Sequence, residues 1–279
     1  MKFNRLIASG VAAGLIAIAP TLAPAGETLD RVMETKVLKM SSDPAYPPQS
    51  FLNDQNEMDG FDVDVGKEIA KRLGVELEIL TPAWEVITAG NWGGRWDISV
   101  GSMTPTKQRA QVLDFPAVYY YTPAAFAVHA DSDIDSLDDL NGKVIGVCGG
   151  CTYEAYLNKN LVIDAEGAPP FEYQVEAGEI RAYDTDTNVF DDLKLGDGVR
   201  LDAAFSAQPT IQEAIKNGYP MKFVGDPVFY EPLSVAIDKG DPEFAAKIKE
   251  IVDAMHADGT LSELSMKWYG VDLTKTSGS

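Results

Sequence analysis

The sequence predicts an α/β protein built as two lobes. Three observations carry that expectation: strand patterns alternate with helix patterns, the alternation comes in two similar passes, and an apolar run follows each pass. Once a leader-like N-terminus is set aside, roughly 250 residues remain, more than one usual core and enough for two.

The N-terminus reads as a targeting segment. Lys2 and Arg5 precede an apolar run from Leu6 to Ala19, and Ala23-Pro-Ala25 supplies the small residues of a cleavage site, so residues 1–25 are expected to be a removed secretory signal. The working chain then starts near Gly26 and is exported. Beyond the leader, no segment holds enough consecutive apolar residues to span a bilayer.

The elements follow in order. Val37-Leu-Lys-Met40 is a strand, Asp43 to Phe51 a Pro-rich turn, and Asp62 a cap for a helix with Val65, Ile69 and Leu73 on one face. Gly74 stops that helix, and Val75, Leu77 and Ile79 alternate as the next strand. Trp96-Asp-Ile-Ser-Val100 closes the pass as a further strand. In the second pass a short turn from Ser136 to Leu140 leads into the strand Lys143-Val-Ile-Gly-Val147, and a helix opens near Thr152. Leu201-Asp-Ala-Ala-Phe205 is another strand, followed by a helix from about Thr210 to Lys216. The apolar runs are Ala124-Ala-Phe-Ala-Val128 and Leu233-Ser-Val-Ala-Ile237. At the C-terminal end, Asp241-Pro242 starts a helix carrying Phe244, Ile248, Ile251 and Met255, Gly259 stops it, and Thr260 caps a last helix with Leu264 and Trp268. The stripes are core faces.

Charge excludes whole classes of partner. The chain has 23 basic and 43 acidic residues, a formal charge of −20. Without Lys2 and Arg5 the counts become 21 and 43, or −22. Such a surface repels nucleic acid and anionic membranes, and it also suits solubility outside the cytoplasm. It leaves room for a small anion held by one buried arginine.

The stretch Gly101-Ser-Met-Thr-Pro-Thr-Lys-Gln-Arg109 offers such a place. Ser102, Thr104 and Thr106 bring hydroxyls, and a helical turn from Thr106 would carry the Arg109 guanidinium back over free N–H groups, a planar fork suited to a carboxylate. The competing reading is a capped surface turn in which Arg109 pairs with Asp114.

Taken in order, Asp43-Pro-Ala-Tyr-Pro-Pro48, Gly60-Phe-Asp-Val-Asp64, Trp96-Asp97, Gly101 to Arg109, Gly142-Lys-Val-Ile-Gly146, Thr152, Leu201-Asp-Ala-Ala204 and Asp258-Gly-Thr260 resemble the family 3 periplasmic solute-binding proteins. These are the polar amino-acid receptors of ABC importers. The resemblance covers nearly the whole mature chain and implies the bilobal type II periplasmic-binding-protein fold, two α/β lobes joined by two crossing strands with the ligand in the cleft. It implies lobe one as residues 26–125 with a C-terminal segment 232–279 that includes the second crossing strand, and lobe two as 126–231. It further implies hinge closure, a monomer, no cofactor, and an inner-membrane ABC permease as partner.

Carried over by position, the resemblance implies that Arg109 binds the carboxylate of a small amino-acid-like solute with help from Thr104, and that Ser102 turns its backbone oxygen to the ammonium. The Gly150-Cys151-Thr152 turn adds N–H groups and a hydroxyl, Tyr46 and Trp84 wall the ligand, and Asp43 reads a distal cation. One departure matters: the acid that the family sets against the α-ammonium falls at Ala207 here, leaving Gln208, Ser206 or another residue as the substitute. A quaternary amine in an aromatic cage drawn from Trp84, Trp92, Trp96 and Tyr119 to Tyr121, or a carboxylate without an amine, stays open.

Cys148-Gly-Gly-Cys151 holds the only cysteines, and in an exported chain a disulfide shaping the ligand loop is expected, with a thioredoxin-like redox site as the alternative. Zinc would need two more ligands, and His129 and His256 lie far off in sequence. No Gly-x-Ser-x-Gly or phosphate loop appears, so an enzyme is not expected. Two alternatives share the fold: a periplasmic accessory or sensor protein, and a cyclohexadienyl-dehydratase-like enzyme, which would need a cleft acid such as Glu85, Asp43 or Glu154 near Arg109.

Overall fold

The computed structural model describes residues 26–166 and 168–275. The expected leader lies outside the described residues. A helix α1 (Glu27–Thr35) precedes β1 (Val37–Ser41), and three short strands, β2 (Ala45–Tyr46), β3 (Ser50–Leu52) and β4 (Met58–Asp59), fold into a small antiparallel sheet. Next come α2 (Phe61–Leu73), β5 (Glu76–Leu80), α3 (Trp84–Thr88) and β6 (Ile98–Met103). After a 3-10 turn at Arg109–Gln111, the long strand β7 (Leu113–His129) leads into β8 (Val144–Cys148), α4 (Thr152–Leu157), β9 (Glu179–Tyr183), α5 (Asp186–Leu193), β10 (Ala203–Ala207) and α6 (Gln208–Lys216). A second long strand, β11 (Met221–Asp238), returns to α7 (Pro242–Ala257) and α8 (Thr260–Tyr269).

The eight main strands lie in the order β5-β1-β6-β11-β7-β10-β8-β9. β1 pairs in parallel with β5 and β6, and β8 in parallel with β9 and β10, whereas β7 and β11 are antiparallel to each other and run through the middle. Two α/β units thus share one pair of crossing strands. One core gathers Leu38, Met40, Phe61 and Ile69 with Phe244, Ile248 and Leu261, so the C-terminal helices complete the first unit. In the second unit, Ile145, Val147, Tyr156 and Phe205 fill one face, and Val189, Leu193, Leu201 and Ile211 the other. Burial on both faces is the usual condition of a parallel sheet, and all five residues of β10 are buried.

Several expectations change in detail. Asp62 is not a cap: Gly60 holds that place at φ 126°, where a Cβ would sit 2.3 Å from the Gln49 carbonyl oxygen. The strand expected from Trp96 begins at Ile98 and runs on through Gly101-Ser-Met103, because Trp96 is buried against Trp92 beside the sheet. Thr260 lies inside α8, with the left-handed Gly259 at its start. The crossing strands far exceed the two apolar runs that signalled them, because Pro116, Pro123 and Glu231 interrupt the apolar pattern without ending the ladder. Thr106 and Asp241 do cap: each side-chain oxygen accepts the N–H three residues on, from Arg109 at 3.2 Å and from Phe244 at 2.9 Å.

Candidate functional site

Between the two units lies a cleft lined by Asp43, Tyr46 and Trp84, by Gly101, Ser102, Thr104 and Arg109 beyond β6, by Cys148, Cys151, Thr152 and Tyr153 at α4, and by Asp186 and Glu231. Its walls stand close. The cavity between them measures about 30 Å³, room for little more than water, so the walls must part for an amino-acid-sized solute to enter. Bonds across the gap hold it shut. The Tyr46 and Tyr153 hydroxyls meet at 3.3 Å, the Gln49 amide meets the Thr210 hydroxyl at 3.0 Å, and the Lys107 N–H donates to the Val162 carbonyl at 2.9 Å.

Arg109 is buried, and its guanidinium spans the cleft. Nη1 donates to the Thr104 carbonyl at 2.9 Å and Nη2 to the Gly150 carbonyl at 3.0 Å, while the guanidinium carbon lies 5.3 Å from the centre of the Trp84 ring. Of its five N–H groups, two are thus engaged and three remain for a solute. Burial lowers its pKa to about 10, with Glu231 and Tyr153 opposing, so it stays a cation at neutral pH. The competing pairing with Asp114 does not occur, since Asp114 faces Lys239 and the Gly240 N–H.

Ser102 is held in the left-handed region at φ 54°, a conformation costly for a residue with a side chain. Its N–H donates to the Tyr119 hydroxyl at 2.9 Å, and its own hydroxyl donates to Asp62 at 2.7 Å. Tyr119 also donates to Asp62, at 2.7 Å. Burial pushes Asp62 up to about 7, although both hydroxyls pull it down. Asp62 therefore sets the backbone at Ser102 instead of capping a helix.

Glu231 is the residue that the sequence did not disclose. Only 2% exposed, its carboxylate accepts from the Thr104 hydroxyl at 2.8 Å, from Tyr153 at 2.6 Å and from the Thr152 hydroxyl. Burial raises its pKa, and the three hydroxyls and Arg109 counter it. Thr104 and Thr152, which the resemblance sets against a solute's carboxylate, thus turn their hydroxyls to a carboxylate of the protein. The Gly150-Cys151 N–H groups are also engaged, by Glu154 at 2.7 Å and by the Cys148 carbonyl at 3.4 Å, so the turn is less open to an anion than its sequence implies.

Asp43 and Asp186 complete the lining. Asp43 accepts from the Ala45 N–H at 2.8 Å, and burial raises its pKa. Asp186, the first residue of α5, is 4% exposed, and burial pushes it up to about 7; Ser206 pulls the value down, and the Asp43 and Glu231 charges raise it further. Among the described residues, its Oδ1 has no hydrogen-bond partner. The sequence hint was the run Thr185-Asp-Thr-Asn188, whose Thr185 hydroxyl caps α5 by accepting from Asn188 N–H at 3.2 Å.

Gln208 is not in the cleft. β10 ends at Ala207 and α6 begins at Gln208, which carries that side chain to a separate cavity beside Pro48, Lys267 and Trp268. The wider aromatic cage does not form either. Trp92 and Trp96 pack on each other and Tyr119 and Tyr120 lie in the first core, leaving Trp84, Tyr46 and Tyr153 as the cleft aromatics. Cys148 and Cys151 form a disulfide directly before α4.

With this geometry in view, comparison with known proteins is decisive. The bacterial extracellular solute-binding proteins, family 3, match over residues 38–271. The chain belongs to this family. The L-cystine-binding protein TcyJ of Escherichia coli K12 is 29% identical over 250 residues, covering 88% of each chain. An L-arginine-binding protein of Pseudomonas aeruginosa is 28% identical over 246 residues, covering 85% of this chain and 90% of its own. Among solved structures, the ancestral amino-acid-binding protein AncCDT-1, a precursor of cyclohexadienyl dehydratase, superimposes with a TM-score of 0.74 at 29% identity over 87% of this chain and 99% of its own. The two lobes with crossing strands are therefore the type II periplasmic-binding-protein fold, and the family 3 protein has a solute-binding role.

Proposed function

We propose that this family 3 protein is the periplasmic substrate-binding component of an ABC importer, capturing a small carboxylated, amino-acid-like solute and delivering it to an inner-membrane permease as a monomer. The observation that carries this reading is Arg109: a buried cation stacked on Trp84, reaching from one lobe to the Gly150 carbonyl of the other, with three N–H groups left. A solute carboxylate docked there would be gripped by both lobes at once. Exclusion of water on closure strengthens that contact, since charges attract more strongly away from bulk solvent.

In this reading residues 26–125 and 232–279 move as one body against 126–231, hinged on β7 and β11. Trp84 and Tyr46 wall the solute, and the Ser102 carbonyl faces its ammonium, with Asp43 on the same wall. Thr104, Thr152 and the disulfide-braced Cys151 turn frame the anion end, the two threonines acting through Glu231. The amino-acid names carried by the relatives favour the same solute class. No catalysis is assigned.

A thermal-shift screen of the mature protein against amino acids, betaines, opine-like conjugates and simple carboxylates tests this, because a native-state ligand raises the melting point by mass action. Shifts with amino acids support the reading, and the absence of any shift across the panel removes it. A dehydratase-like activity is the second reading. It draws on Glu231, a buried acid beside Arg109, and on the likeness to AncCDT-1. Turnover of a cyclohexadienyl acid would decide for it.

A further inference from the structure

Asp186 stands out because, among the described residues, one of its two carboxylate oxygens is buried with no donor, Ser206 being the side chain that favours its charge. It is the first residue of α5, faces the cleft, is 4% exposed, and leaves Oδ1 buried without a hydrogen-bond donor. The other two acids differ. Glu231 is satisfied by three hydroxyls, and Asp43 accepts the Ala45 N–H. A buried carboxylate oxygen with no donor is destabilising unless something bound supplies one.

Topology puts Asp186 on the same sheet edge as Ala207, with β8 between their strands. β8, β9 and β10 run parallel, so Cys148, Tyr183 and Ala207, their last residues, lie on one edge of the sheet. In such sheets ligands bind at the C-terminal edge. Asp186 follows β9 by three residues, and α5 packs on β8, β9 and β10. A carboxylate absent from the end of β10 is thus supplied from the end of β9.

We propose that Asp186 is the amine-binding residue of this cleft, taking the ammonium group of the solute in place of an acid at Ala207, with Asp43 facing the same charge from the other lobe. The inference rests on the solute-binding reading above and adds a specificity to it. Three carboxylates and one guanidinium line the cavity. Closing the lobes brings the Asp43 and Asp186 charges toward each other, and a cation between them turns that repulsion into attraction. Solutes with a free ammonium are therefore selected over those of the same shape without one.

Calorimetry with L-arginine and L-histidine, each paired with its des-amino analogue (5-guanidinopentanoate and imidazolepropionate), tests the assignment on purified wild type and Asp186→Asn. The expected result is an affinity for the amino acid at least tenfold weaker in the variant and less than twofold changed for the des-amino analogue. Adding Ala207→Asp to Asp186→Asn should restore at least part of the lost affinity. Equal losses for both partners of a pair would mean that Asp186 only shapes the lobe, and unchanged amino-acid binding would overturn the proposal outright. Should the variant not fold, Asp43→Asn on the opposite wall gives the same pairwise comparison, with a smaller selective loss expected and an unselective one counting against. Should neither bind wild type, the same comparison is made with an amino acid that shifts the melting point in the screen and its des-amino analogue, and if no amino acid of that panel binds, the amino-acid reading fails and this specificity with it.

Discussion

Asparagine at position 186 should stabilise the solute-free protein at alkaline pH. Burial, with the Asp43 and Glu231 charges, raises Asp186 from 3.8 to about 7, while the unfolded chain keeps the ordinary value. Between those values the native state holds a proton that the unfolded state has lost. Stability therefore falls as pH rises through that window and is level below and above it. Roughly three pK units at about 1.4 kcal/mol each make the full loss about 4 kcal/mol. The asparagine side chain has nothing to titrate, so Asp186→Asn escapes this loss. Ser206 and the α5 N-terminus favour the ionised carboxylate, and Tyr46 and Tyr153 face it as neutral phenols, their pKa values raised by burial. Asp62, also pushed up to about 7, adds a similar slope, but that slope is common to both proteins and cancels in the difference. Urea denaturation from pH 3 to pH 9 at constant ionic strength reads the effect. The curves should meet near pH 3 and separate by up to about 4 kcal/mol above pH 8. Parallel curves across the range would refute the claim that Asp186 is held in a site hostile to its charge.

Three further outcomes are expected. Arg109→Ala should weaken binding of any solute found in the thermal screen by at least about 2 kcal/mol, as for a buried charge partner, and near wild-type calorimetry would remove Arg109 from the site. Glu231→Ala strands the Thr104, Thr152 and Tyr153 hydroxyls and should cost about 3 kcal/mol or more of stability in urea titration, since each buried orphan costs roughly 1–3 kcal/mol; Glu231→Gln, which keeps an acceptor, should cost less. Thiol titration of the protein denatured without reductant should find no reactive cysteine, and two would contradict the Cys148–Cys151 disulfide.

The architecture was legible because it rests on local patterns. Met40, Ile69, Val147 and Phe244 sit at the periods that bury a strand or helix face, and all four lie in the cores where those periods put them. Arg109 and Thr152 were legible too, since each sits in a short motif with its neighbours. The short strands β2 to β4, α3 and β9 were missed, and so were two longer helices. α1 follows directly on a leader-like segment, and α5, Asp-Thr-Asn-Val-Phe-Asp-Asp-Leu, is so polar that its apolar face shows in only three buried residues. Gln208 was misplaced because a strand-to-helix junction redirects a side chain in a way that spacing does not reveal.

The amino-acid sequence by itself determined the α/β alternation, the two passes, the acidic character and the hydroxyl-rich stretch that ends at Arg109, because hydrophobic period, turn chemistry and net charge are properties of neighbouring residues. Only the tertiary structure decided what the cleft contains. Tyr46, Thr104, Thr152, Asp186 and Glu231 are separated by up to 185 positions and meet because β7 and β11 bring two lobes face to face. Whether a carboxylate there is satisfied, like Glu231, or left without a donor, like Asp186, depends on which hydroxyls and N–H groups surround it. Those surroundings are assembled across the cleft from segments that share no local pattern.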